Sequence, residues 1–157
     1  MIKPPMRPSL LVGTALAMVP LAGVLAGCGT QHPTTSQLKS LPGATASYPG
    51  SVAVGGHGAR KGEHSLVNSS GAVLFSTYCT AAGQPEVTRW FASELGRDGW
   101  RAEHNPVGTT NSDVAAIAEW RRGGRRFTLQ LLSPAYVGRL SAAQGKSCSS
   151  GYRTVVQ

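Results

Sequence analysis

The sequence predicts a two-layer α+β domain: an antiparallel sheet of about four to five strands with one main helix, residues 85–98, on one face. Three observations carry that prediction. Residues 72–79 and 114–131 place apolar side chains with the period of two expected of half-buried strands. Residues 85–98 carry theirs at helical spacing instead. Gly123-Gly124 interrupts the second alternating run as a two-residue hairpin signal.

Tyr48-Pro49-Gly50-Ser51 reads as the entry turn, and Ser51 to Val54 as a short first strand before the loop-forming cluster Gly55, Gly56 and Gly58. In Ala72 to Cys79, the side chains of Val73, Phe75, Thr77 and Cys79 share one face and Ala72, Leu74, Ser76 and Tyr78 the other. Val87, Trp90, Phe91 and Leu95 then make one helical stripe, a core face rather than a ligand site. Pro85 suits the first helical position, Glu86 complements the macrodipole, and Gln84 is left in the cap position. At the other end Gly99 suits a left-handed close that sets Trp100 against Leu95.

Trp100 to His104 is expected to be a strand, with a loop from Asn105-Pro106 to Asp113. A hairpin follows. Counting outward from Gly123-Gly124 sets Arg122 opposite Arg125, Arg121 opposite Arg126, Trp120 opposite Phe127 and Ala118 opposite Leu129. Val114, Ala116, Ala118 and Trp120 thereby share a face with Phe127, Leu129 and Leu131. Ser133 and Pro134 open a short helix through Leu140, Gly145 stops it, and Tyr152 to Val156 form the last strand.

The chain ends differ from this middle. Lys3 and Arg7 precede an apolar run from Leu10 to Leu25 and then small residues, the order of a secretion signal. The run contains Pro20 and is shorter than the ~20 residues a membrane-spanning helix needs. Leu25-Ala26-Gly27-Cys28 resembles the lipobox of bacterial lipoproteins. That resemblance implies a diacylglyceryl group on the Cys28 thiol, cleavage before Cys28, and anchoring on the extracytoplasmic face of the cell membrane. Two or more acyl chains hold stably where a single chain holds only marginally. The organisation read from this is a signal peptide over 1–27, lipidated Cys28 with a flexible linker over 28–47, and one domain over 48–157. The run from Val73 to Trp100, a strand leading into a helix that closes on Gly99-Trp100, is also similar to small domains carried by bacterial lipoproteins, a likeness that brings no activity with it.

With Cys28 lipidated, Cys79 and Cys148 remain, and an exported domain is expected to pair them. Without Lys3 and Arg7 the chain keeps thirteen basic and seven acidic side chains, a net charge of +6. In an exported domain that charge points to anionic lipid, wall polymer or an acidic envelope protein as partner, and away from nucleic acid. Arg121, Arg122, Arg125 and Arg126 bracket the hairpin tip and are the candidate anion-docking residues, against the plainer reading of a solvated turn.

No catalytic or metal site is expected. His32, His57, His64 and His104 contain no His-x-x-x-His pair, no Cys-x-x-Cys occurs, and the glycines of residues 55–61 lack the Gly-Lys-Ser/Thr of a phosphate loop. The covalent lipid on Cys28 is the sole expected non-protein group. These readings favour a lipid-anchored binding or scaffolding module. The alternative is a small wall-modifying or hydrolytic enzyme built around Glu63, His64 and His104.

Overall fold

The computed structural model describes residues 32–55, 58–64, 69–145 and 147–157; the lipobox residues Leu25, Ala26, Gly27 and Cys28 lie outside them. The described chain runs α1 (Thr35–Lys39), β1 (Val52–Ala53), β2 (Gly58–Arg60), β3 (Glu63–His64), β4 (Ser69–Ser70), β5 (Val73–Thr80) and α2 (Gln84–Arg97). It continues through β6 (Arg101–Gly108), β7 (Val114–Arg122), β8 (Arg125–Leu132), α3 (Pro134–Gln144) and β9 (Ser150–Val156). One seven-stranded antiparallel sheet has the order β1-β5-β9-β8-β7-β6, with β2 also on β5, and β3 pairs with β4. The class is thus mixed α and β as predicted, but the described residues form a main sheet of seven strands rather than four or five, with three helices rather than one main helix.

The hairpin β7–β8 follows from its turn. Gly123 and Gly124 take φ of 52° and 77°, a pair of left-handed conformations whose twist matches the strands they join. The expected partners Arg122/Arg125, Arg121/Arg126, Trp120/Phe127 and Ala118/Leu129 all face each other. A register shift between Val114 and Ala116 interrupts the alternation, and Val114 leaves the predicted apolar row to pack with Leu132 and Val137. That is a correction with a local cause: one extra residue turns every side chain beyond it to the other face.

Helix α2 buries Val87, Phe91 and Leu95 and leaves Trp90 half-buried. Its cap is Gly83, not Gln84, which is already helical and instead donates from Nε2 to the Leu132 carbonyl at 2.7 Å. The predicted close holds: Gly99 has φ of 80°, Trp100 N–H bonds to the Leu95 carbonyl at 2.9 Å, and Gly99 N–H to the Gly96 carbonyl at 3.1 Å. Phe91, Leu95, Trp100, Trp120, Phe127, Leu129 and Tyr152 form the main core between α2 and the sheet. Helix α3 is longer than predicted, reaching Gln144, and is capped by Ser133 and by left-handed Gly145.

Residues 32–47, expected as linker, belong to the domain. Thr34 and Gln37 form a reciprocal capping box, with Gln37 N–H donating to Thr34 Oγ1 and Thr34 N–H donating to Gln37 Oε1. The turn so started drives Leu38 to 0% exposure in the main core. Trp100 Nε1 donates to the Pro42 carbonyl at 2.7 Å, which fixes the stretch beyond the helix. A mean composition of Thr, Ser and Pro hides the few apolar residues that do this.

Strand β6 also outlasts its prediction, running through Asn105 and Pro106 to Gly108. It is the sheet's edge, where proline's missing N–H costs no ladder bond, and two register shifts against β7, each an extra residue on β6, lie along it. At the sheet's centre the last strand, β9, pairs on both sides, with Val155 opposite Phe75 and Thr128 and Arg153 opposite Thr77 and Gln130.

Candidate functional site

These registers decide what the second sheet face, opposite α2, presents. One row crosses it from His104 through Glu119, Thr128, Val155 and Phe75 to Gly58. The next runs through Ile117, Gln130, Arg153 and Thr77. Helix α3 packs its Val137 against Val114 and Leu132. A groove of about 560 Å³ is lined by Arg60, Val73, Phe75, Gln130, Arg153 and Val155.

Arg153 stands in the middle of this face. Its Nε donates to Thr77 Oγ1 at 3.2 Å, Nη1 to Gln130 Oε1 at 3.5 Å and Nη2 to the Tyr136 hydroxyl at 3.1 Å. All three partners are neutral, and among the described residues no carboxylate pairs with it. The Tyr136 ring takes two cations, Arg139 at 5.1 Å and Arg153 at 5.8 Å from its centroid. Arg139 differs from Arg153 in pairing with Asp113. A half-buried guanidinium held open by neutral acceptors keeps its charge available to an anion.

The four hairpin arginines do not share one surface. Strand alternation sends Arg121 and Arg126 to the second face and Arg122 and Arg125 to the α2 face. Arg121 Nε lies 2.5 Å from Glu103 Oε1, and Arg126 Nη1 lies 3.9 Å from Glu119 Oε1. The guanidinium beside it holds the Glu103 carboxyl below its ordinary range. Arg122 packs near Gly99, with Nη1 buried and unpartnered. The tip therefore offers two pairs of cations back to back, one of them already engaged by acids.

Glu103, His104 and Glu119 come together beside those pairs, with donor atoms within 4.8 Å of one another. The register shift between Ala102 and His104 brings neighbours in sequence to one side, and His104 Nδ1 stands 3.6 Å from Glu119 Oε2. Such a trio has the donor types for a divalent cation, but Arg121 and Arg126 already face both carboxylates. Sequence reading did not find Glu119, because only the strand pairing relates it to His104. Glu63 and His64, the other residues of the enzyme alternative, lie in β3, which pairs with β4 rather than joining the strand that carries His104.

Cys79 and Cys148 form the expected disulfide, with Cα atoms 5.5 Å apart. The bond ties the segment after α3 to β5. Among the described residues no helix is long and apolar enough to cross a membrane. Comparison with protein-family models, curated proteins and solved structures finds no match.

Proposed function

We propose that the chain is an exported envelope lipoprotein, held by lipid on Cys28 at the extracytoplasmic face of the cell membrane, whose domain is a non-catalytic binding module for a phosphate-bearing wall polymer. The single observation that carries the ligand class is Arg153, a central guanidinium whose partners are all neutral, in a groove that also contains Arg60. Phosphate accepts the two parallel N–H bonds that an arginine fork offers. Val73, Phe75 and Val155 lower the local dielectric beside that fork and strengthen the contact.

Polymer is favoured over the bilayer surface by what the domain exposes. Among the described residues the exposed large hydrophobics are Val52 and Val107, neither of them in the groove. Peripheral insertion uses a cluster of such anchors. The placement rests on the charged, apolar and small-residue order ending at Cys28, and the disulfide suits an oxidising compartment.

Two measurements test the two halves. Mass spectrometry of the mature protein should find an amino-terminal Cys28 carrying diacylglycerol, and an unmodified Met1 terminus refutes the placement. For the ligand, the full chain in detergent is titrated with a short glycerol-phosphate oligomer at low and high salt. Binding should weaken with salt, Arg153→Gln should weaken it about tenfold or more, and Arg125→Gln should change it less than about twofold. Equal binding by wild type and Arg153→Gln, or stronger binding to anionic vesicles than to the oligomer, overturns the ligand assignment.

A further inference from the structure

A second recess lies on the α2 face of the same strands, between the chain around Lys39 to Thr45 and the ladder β5–β9. Its volume is about 240 Å³, and Leu74, Ala44 and Ala59 contribute apolar wall. At about 30 Å³ per water that is room for some eight waters, the scale of one small ring rather than a chain.

Its polar lining is the informative part. Ser76 and Thr154 sit directly opposite each other on β5 and β9, and the next pair on the same face is Tyr78 with Tyr152. Ser76, Tyr78, Thr154 and Thr45 all line the recess. Thr154 is only 5% exposed, yet its hydroxyl, like those of Ser76, Tyr78 and Thr45, has no hydrogen-bond partner among the described residues. Of these residues Thr154 is buried, Ser76 and Tyr78 are half-buried and Thr45 is exposed, so the four hydroxyls reach the recess with donor and acceptor capacity free for a guest. The Tyr78 ring, stacked on Tyr152 at 5.0 Å, is held rigidly beside them. Lys39 completes the lining and has no ion-pair partner among the described residues.

We propose that this recess binds a single-ring polyol carrying one acidic group, a sugar acid or sugar phosphate, with the ring hydroxyls on Ser76, Thr154 and Tyr78 and the acid on Lys39. Each hydroxyl of such a ring both donates and accepts, as do the serine and threonine side chains that meet it. The ammonium supplies the charge-assisted contact that separates the acid from its neutral parent. Its polar groups are distinct from those of the groove around Arg153 on the opposite side of the sheet, with Phe75 bordering both.

The test titrates the full chain in detergent with glucuronate, glucose 6-phosphate, glucose and acetate, read by calorimetry. Glucuronate or glucose 6-phosphate should bind about tenfold more tightly than glucose, and acetate not measurably. Which of the two acids binds better identifies carboxylate or phosphate as the acidic group. Thr154→Val, which keeps the side chain's shape, and Ser76→Ala should each weaken the preferred acid about fivefold while leaving the melting temperature within a few degrees. Lys39→Gln should abolish the preference for the acid over glucose, and Arg153→Gln should change nothing here. No saturable binding of either acid up to about 10 mM, or equal binding by wild type and Thr154→Val, overturns the proposal and leaves the recess to water alone.

Discussion

The phenol oxygen of Tyr152 accepts a hydrogen bond from the Tyr48 N–H at 2.8 Å and donates one to Ser51 Oγ at 2.9 Å, pinning the entry turn to the central strand. Tyr152 is fully buried, and burial pushes its phenol up to about 12. The folded state therefore holds the proton more tightly than the unfolded chain, in which a phenol ionises near pH 10. Stability from this group is complete below about pH 10 and falls as pH rises toward 12. Tyr152→Phe should cost about 1–3 kcal/mol at neutral pH, because the Tyr48 N–H loses its acceptor, and should make the alkaline fall shallower. Urea midpoints across pH 8 to about 12 check both, and parallel curves for the two proteins would contradict the assignment.

Leu38 reports whether residues 32–47 are structure or leash. With 0% exposure in the main core, Leu38→Ala should destabilise the domain by about 2–5 kcal/mol in chemical denaturation. A shift within about half a kcal/mol is the result expected of an exposed linker residue.

What could be read from the residues divides by how local its cause is. The Gly123-Gly124 turn, the Val87–Leu95 stripe, the Gly99 close and the Ser133-Pro134 start each depend on chemistry within a few positions, and each is in the structure. The start at Thr34 is local too, but its Thr-x-x-Gln box stands in a stretch whose composition argues against burial. Register shifts on β6 and β7 carry no comparable signature, which is why Val114 lies on the face opposite its predicted row and β6 runs past its predicted end. Functional residues fall mostly in this last group. Arg153 lies in a run legible as strand, yet its neutral surroundings come from Thr77, Gln130 and Tyr136, far apart in the chain and joined only by β9's central place.

Cys79 and Cys148 close a loop of 69 residues, for which chain entropy gives at most about 4.4 kcal/mol. Replacing both cysteines with alanine should lower unfolding free energy by about 2–4 kcal/mol, with reduction of the wild type giving a similar loss. Free thiols in the unreduced protein, counted by alkylation and mass, would contradict the pairing.

Gly99 holds φ of 80° where α2 turns into β6. A Cβ there would meet no atom closer than 3.7 Å, so the penalty of Gly99→Ala is conformational rather than steric crowding. The change should cost about 1–2 kcal/mol, whereas Gly96→Ala, inside the helix with open space around its Cβ, should gain up to about 1 kcal/mol. Thermal melts of the two variants should move in opposite directions.

Glu103 and Arg121 test the register shift in β6 by titration. Ordinary alternation would send Glu103 and His104 to opposite faces, but the shift between Ala102 and His104 sets Glu103 beside Arg121, whose guanidinium lowers the carboxyl's pKa. A depressed folded-state value means that this pair stabilises the fold above the ordinary glutamate range and ceases to do so as pH falls through the lowered value. Arg121→Gln should therefore raise the Glu103 midpoint toward its ordinary value, followed by carbon-detected NMR of the carboxyl. Stability at neutral pH should hardly change, since both side chains are substantially exposed. Arg122→Gln, on the opposite face of the same strand, should leave the Glu103 titration where it is; a shift of equal size from both variants would mean that the strand does not turn where the pairing says it does.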